Sequence, residues 1–347
     1  MQESIFLFRD KPMKYALCLC TLSSAAMLFA AEPASGWKAE WITVDKLPEY
    51  RLNNFWATYR KSFELRKVPE KAVCRIASDS KYWLYVNGER IVFDGQRKRD
   101  STAYYDVVDL SNSLKPGKNV VAVLTWFFGK DGGAPALLFE LQTDGLELLS
   151  DATWKAVPYS RFDATDPVWK EHPYSAYERI TADPQPSARW TEPNIRYDAR
   201  FEFKGNWTAL GFDDADWSAA KVLGKPPIPP WGELRECPTP LAKEGRAKDY
   251  VNKSEIPAVS DGRPIICKMP KETSLTPLIK VDAPDGYAID IRTDRYVVDG
   301  EYGVRSEYVT KSGIQEYESL GKLSGTTVIY TMPAGVKVLS LQYRESD

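Results

Sequence analysis

From Trp37 onward the apolar residues come in short β-branched and aromatic runs separated by turn residues. Outside the N-terminal segment, no stretch keeps a 3.6-residue apolar period over the roughly 12 residues that a packing helix needs. Tyr59 to Leu65 alternates apolar and polar, and Lys71 to Ala77 and Tyr82 to Val86 follow as further strands. Asn87-Gly88 then joins Tyr82–Val86 to a return run, Glu89 to Phe93. This is the strongest hairpin signal in the chain, because a type I′ turn needs positive φ at both central residues. Leu114-Lys115-Pro116-Gly117-Lys118-Asn119 is a second turn and feeds the buried run Val120 to Phe128. Ala136 to Thr143 is a third return, closed by Asp144-Gly145. Strands spaced about 8 to 12 residues apart predict a β-sandwich or jelly roll.

Residues 160–193 are Pro-rich and irregular, after which Ile195 to Phe203 and the Trp207 to Trp217 turn read as a return to the same sandwich. Lys225-Pro226-Pro227-Ile228-Pro229-Pro230 breaks regular structure, since proline removes a ladder donor. A boundary between about Pro226 and Lys243 divides a first module, 37–240, from a second, 241–347. In the second, Thr276 to Val281, Tyr287 to Thr293, Gly303 to Thr310, Gly313 to Glu318, Thr326 to Tyr330 and Lys337 to Tyr343 supply enough strands for a small sandwich. The two modules share no repeat. The fold class expected is therefore all-β, with two β-sandwich modules.

Composition narrows the partners. Lys and Arg (46) nearly balance Asp and Glu (48), so no large positive field is available to release counterions from nucleic acid. The 11 Trp and 19 Tyr suit two uses, stacking on the C–H faces of sugars or filling a large β-core. Lys14, the apolar stretch Tyr15 to Ala30 and the small pair Ala30-Ala31 before Glu32-Pro33 form a secretory signal over residues 1–31, too short for a transmembrane helix. Met13 offers an alternative start. The expected destination is the periplasm or the outside of the cell. Cys20 lacks a Leu-small-small-Cys context, which disfavours a lipid anchor.

Cys74, Cys237 and Cys267 remain after cleavage, with no metal-ligand spacing, and read as small, mostly buried hydrophobes rather than one disulfide and a free thiol. His172, the single histidine, lies in a Pro-flanked loop and leaves no other residue to serve a Ser-His-Asp or Cys-His arrangement. Asp213-Asp214-Ala215-Asp216-Trp217 lacks the glycine and distal Glu of an EF-hand, so it reads as a structural turn and no calcium or other cofactor is expected. Gly129-Lys130-Asp131-Gly132-Gly133 lacks the closing Gly-Lys-Ser/Thr of a phosphate loop. Asn206-Trp207-Thr208 and Asn252-Lys253-Ser254 match the glycosylation acceptor pattern. Asp290, Asp294, Glu301 and Glu307 read as carboxylates on solvated strand faces.

Ala77-Ser78-Asp79-Ser80-Lys81-Tyr82-Trp83-Leu84-Tyr85-Val86-Asn87-Gly88, with Tyr104-Tyr105-Asp106, Asp109-Leu110 and the Leu114–Asn119 turn, resembles the galactose-binding-like jelly roll that precedes the barrel of bacterial α-L-rhamnosidases. Val304-Arg305-Ser306-Glu307-Tyr308-Val309-Thr310, then Gln315-Glu316-Tyr317-Glu318-Ser319-Leu320-Gly321, then Met332-Pro333-Ala334-Gly335-Val336 and Tyr343-Arg344-Glu345, resemble the β-sandwich just upstream of that barrel. After Gly321, where the family usually has Trp-Met, this chain has Lys322-Leu323.

The resemblance implies that the first module is a galactose-binding-like jelly roll and that the complete protein hydrolyses rhamnose-containing glycans with inversion. Such chemistry uses a general acid and a base that activates water. In the family both sit in an (α/α)₆ barrel of about twelve helices. This sequence shows no such helices, so no catalytic residue carries over. The expectation is a non-catalytic N-terminal fragment whose partner is the missing C-terminal barrel; the alternatives are a freestanding lectin-like module and a structural spacer. A sugar site on loops of the first module would use Trp126, Phe128, Lys130, Asp131 and Trp169.

Overall fold

A computed structural model describes residues 36–45, 47, 54–95, 102–129, 133–161, 176–178 and 192–346. The N-terminal segment 1–31 and His172 lie outside the described residues. In chain order the first strands are β1 (Trp41–Thr43), β2 (Phe55–Leu65), β3 (Val73–Ser78), β4 (Lys81–Val86), β5 (Glu89–Val92), β6 (Ala103–Asp109), β7 (Gly117–Phe127), β8 (Leu137–Thr143), β9 (Leu146–Leu149) and β10 (Lys155–Pro158). Next come β11 (Ser160–Arg161), β12 (Tyr177–Glu178), β13 (Ile195–Asp198), β14 (Lys221–Gly224) and β15 (Leu234–Glu236). The remainder are β16 (Glu244–Asp249), β17 (Ile265–Ala283), β18 (Ala288–Thr293), β19 (Val297–Val298), β20 (Glu301–Tyr302), β21 (Ser306–Val309), β22 (Gly313–Glu318), β23 (Leu323–Thr331) and β24 (Lys337–Ser346). The only helices among the described residues are two short 3₁₀ turns, Ala199–Phe201 and Lys253–Glu255, and none is long and apolar enough to cross a membrane.

Two sheets face each other in the first sandwich. One runs β14-β1-β8-β3-β6-β15 with β9 beside β8, and the other runs β10-β2-β7-β4-β5. Between them lie Phe55, Ala57 and Tyr59 of β2, Tyr82, Leu84 and Val86 of β4, and Ile76, Phe139 and Leu141 of the opposite sheet. The predicted hairpin forms: Asn87 (φ 53°) and Gly88 (φ 92°) both take the left-handed conformation. The buried Tyr82 hydroxyl donates to Asp106 Oδ2 at 2.6 Å, which satisfies both groups inside the core.

The second sandwich is a curled sheet in the order β11-β12-β13-β21-β18-β23-β17-β24-β16, with β22 also beside β17. β17 belongs to both of its layers. Its first half pairs with β23, and its second half pairs with β22 on one side and β24 on the other. The ladder to β23 shifts register between Lys268 and Thr273, and Pro270 falls in that gap, where no ladder hydrogen bond is required of it. The polar run Lys268–Glu272 also explains why the alternation reveals only the second half of this strand. The core is rich in tyrosine, and Tyr250 and Tyr330 share a hydrogen bond at 2.7 Å.

One sequence expectation is corrected. Ile195–Asp198 does not rejoin the first sandwich; it pairs in parallel with Ser306–Val309 of the second, and β12 extends the same sheet. A four-residue run has the pattern of a strand, but that pattern does not select its partner. Lys221–Gly224 and Leu234–Glu236 return to the first sandwich, on β1 and β6 respectively. The chain thus enters the second sheet at β11–β13, returns to the first at β14 and β15 and crosses again at β16, and all described residues fall in one compact unit.

Candidate functional site: the seam between the sandwiches

Strands β2, β4 and β7 are buried on both faces over most of their length. Alternate residues enter the first core, while Trp56, Trp83, Leu124 and Trp126 point outward into a second cluster with Tyr177, Ile195 and Leu320 of the other sandwich. Trp56 is the centre of this layer. Its ring stacks on Tyr177 (centroids 3.9 Å apart), Trp126 (4.5 Å) and Trp83 (5.5 Å). Asn54 satisfies the indole N–H groups of Trp56 and Trp126. Its Oδ1 accepts from Trp126 Nε1 at 2.7 Å and from Trp56 Nε1 at 3.3 Å, and its Nδ2 donates to the Asn194 carbonyl at 2.8 Å.

Arg60, two turns of the alternation beyond Trp56, is 1% exposed and gathers the loop that follows β13. It donates to Asp214 Oδ2 at 2.9 Å, to the Ala209 carbonyl at 3.2 Å and to the Trp207 carbonyl, and lies over Phe212. The acidic turn has divided roles: Asp214 holds Arg60 while Asp213 Oδ1 accepts from the Ala215 amide at 3.0 Å. Asn252 of the second acceptor pattern is buried at the edge of β17, donating to the Ile266 carbonyl and accepting from the Lys268 amide. Its side chain is already bonded within the fold. Among the described residues, no three His, Cys, Asp or Glu side chains gather as a metal ion would need.

The aromatics expected to meet sugar lie in this seam. Trp126 is 0% exposed and Phe128 5% exposed, packed edge to face at 4.6 Å. Stacking on a pyranose needs a free ring face, and these rings give theirs to neighbouring side chains. Lys130, Asp131 and Trp169 lie outside the described residues. The sequence offered a sign of the seam in the adjacency of Trp56, Trp83 and Trp126 to core positions on the same strands. The run Val120–Leu124 of β7, apolar at every position, implies burial on both faces.

Charged groups flank the aromatic layer. On one side Lys81 of β4 contacts Asp94 Oδ1 at 2.6 Å and also pairs with Glu192, while Lys322 pairs with Asp94 and donates its amide to Glu192 at 3.3 Å. On the other, Arg90 of β5 holds Glu244 at 2.8 Å and Glu318 at 3.0 Å, and Arg344 holds Glu318 at 2.9 Å. Burial by itself would lift the Asp94 carboxyl, but Lys81 and Lys322 outweigh it and hold its pKa below the usual range. Burial likewise opposes ionisation of Glu244, and Arg90 reverses the sign. Burial pushes the nearby Tyr85 hydroxyl up to about 12.

The carboxyls of Glu140, Asp249 and Asp294 are also held below their ordinary values. A glycosidase general acid needs the opposite shift. The strand carboxylates also have partners. Asp290 pairs with Arg305, Glu307 lies 2.8 Å from Arg196, and Asp294 accepts from the Thr326 amide and hydroxyl at 2.8 and 2.7 Å. Glu301 is exposed on β20. The arrangement can fix two sandwiches together.

No protein-family profile matches the chain, and no curated protein sequence matches it. Its fold is nevertheless similar to solved structures. A GH78 family rhamnosidase of Bacillus sp. GL1 superposes with a TM-score of 0.70 at 16% identity, over 89% of this chain and 55% of that one. An α-L-rhamnosidase of Dictyoglomus thermophilum gives 0.65 at 22% identity, over 90% and 36%. One of Streptomyces avermitilis, solved with L-rhamnose, gives 0.57 at 18% identity, over 83% and 28%. The chain spans about half or less of the length of these enzymes. Its described residues carry the β-sandwich fold found in part of the α-L-rhamnosidase structures.

Proposed function

We propose that this chain is the non-catalytic β-sandwich portion of an α-L-rhamnosidase-type glycoside hydrolase that, when complete, acts on rhamnose-containing glycans with inversion. The observation that carries the proposal is the asymmetry of the structural likeness. It takes in 83–90% of this chain but only 28–55% of the rhamnosidases. The downward shifts at Asp94, Glu140 and Glu244 support the same reading, because these carboxyls are held ionised where a general acid must keep its proton. In this proposal a helical barrel supplies the acid and the base, and the sandwiches support it. Residues 1–31 direct export, which N-terminal sequencing of the exported protein tests: a mature end near Glu32 is expected, and an intact N-terminus would contradict it.

The functional test is hydrolysis of an aryl α-L-rhamnoside by the purified chain, with L-rhamnose binding followed by calorimetry on the same sample. No turnover is expected. Turnover abolished by replacing one carboxylate of this chain would overturn the proposal. Binding without turnover would favour a lectin-like accessory module instead.

A further inference from the structure

The two charged groups beside the aromatic layer share a design. Each contains two cations and two carboxylates, and each is divided between the sandwiches. Lys81, Arg90 and Asp94 come from the first sandwich, on β4, β5 and the turn after β5 respectively. Glu244, Glu318 and Arg344 come from β16, β22 and β24 of the second, Lys322 from the turn before β23, and Glu192 from the segment leading into β13. Phe93, in the aromatic layer, stands between Arg90 and Asp94 and receives the Arg90 guanidinium over its ring at 4.8 Å. One short segment therefore links both charge groups to the aromatic seam.

All the pairs that cross the seam are of opposite sign: Lys81 with Glu192, Lys322 with Asp94, and Arg90 with Glu244 and Glu318. Lys81 and Asp94 side chains are 8% and 7% exposed, so solvent screens them little. We infer that the two quartets form an acid-sensitive clasp, which holds the sandwiches together at neutral pH and releases the seam in acid while each sandwich keeps its β-structure. Protonating the carboxylates leaves Lys81, Lys322, Arg90 and Arg344 facing one another as uncompensated, partly buried cations. Such charges are strongly destabilising once their partners are neutral. The other ionisable groups turned toward them are the hydroxyls of Tyr85, Tyr177 and Tyr317, which stay neutral throughout.

The sign follows from linkage. Asp94 and Glu244 have depressed pKa values in the folded protein, so their stabilisation is fully present above the unfolded values, about 3.9 and 4.3. It is lost as pH falls through the folded values. The sandwich interiors are built from apolar side chains and tyrosines.

The experiment is an acid titration of the full chain, followed by small-angle X-ray scattering for the maximum dimension and far-ultraviolet circular dichroism for the β-signal. The inference predicts that the dimension increases at a higher pH than the β-signal is lost. A simultaneous change, or no expansion before unfolding, overturns it. The doubly neutral variant Lys81→Met/Glu192→Gln removes one cross-seam pair without leaving a charge behind, and it should move the expansion to lower pH. An unmoved expansion also overturns the inference, and the wild-type titration decides the matter if that variant does not fold.

Discussion

The interior of the first sandwich and the seam outside it are built on opposite faces of the same strands, β2, β4 and β7. Facing inward, Ala57, Leu84 and Val123 meet the other sheet through aliphatic contacts, and only a few polar groups such as the Tyr82–Asp106 pair are enclosed. Facing outward, Trp56, Trp83 and Trp126 meet the second sandwich through stacked rings edged by Asn54 and flanked by charge quartets. The first surface needs only exclusion of water. The second must also fix an orientation, and directional contacts do that: stacking has preferred geometries, and a buried charge is tolerated only where its partner lies. The seam is a second core with address labels.

The comparison breaks most decisively if the chain is cut. Residues 241–347 expressed alone lack β11–β13 and the aromatic cover, leaving β21 with an unpaired edge. The expected outcome is loss of cooperative unfolding and of dispersed amide signals in NMR; a well-folded fragment would mean that the seam is dispensable. Next in size, Trp56→Ala should cost about 3–5 kcal/mol and the inward-facing Leu84→Ala about 2–5 kcal/mol in urea denaturation. A Trp56→Ala cost below about 1 kcal/mol would show a loose contact rather than a core.

Asn54→Gly keeps the left-handed backbone (φ 54°) but leaves two buried indole N–H groups without an acceptor, for an expected loss of about 1–3 kcal/mol. Tyr250→Phe, in the second core, should cost about 1 kcal/mol by removing its bond to Tyr330.

The smallest effect concerns pH. Burial works against the Glu140 carboxylate, but the amides of Ala39 and Lys38 and the Arg75 guanidinium outweigh it and depress the pKa. Its stabilisation is therefore present above the unfolded value of about 4.3 and disappears as pH falls through the lower folded one. Glu140→Gln should flatten the stability profile in that acid window; an unchanged slope would remove Glu140 from the account.

Much of the fold was legible because most strands have one buried face. The Asn87-Gly88 hairpin, β7 and the second half of β17 stand out by alternation or by continuous apolarity together with turn residues. What stayed hidden was pairing that depends on distant partners. Ile195–Asp198 carries no local mark of its parallel neighbour at Ser306–Val309, and the first half of β17 is masked by Lys268, Pro270, Lys271 and Glu272. Of the residues expected to meet sugar, the two described ones, Trp126 and Phe128, are buried. Trp126 and Phe128 have the composition of a sugar platform, and only the arrival of Tyr177, Ile195 and Leu320 from the other sandwich makes them core. Lys322, which departs from the rhamnosidase pattern, gains its meaning the same way, through Asp94 on the facing sandwich.

Whether the two sandwiches are one body is most directly tested by differential scanning calorimetry of the purified chain at neutral pH. The seam and the crossing strands predict a single transition whose calorimetric and van't Hoff enthalpies agree. Two separate transitions, or a calorimetric enthalpy well above the van't Hoff value, would show that each sandwich unfolds on its own and would contradict the account.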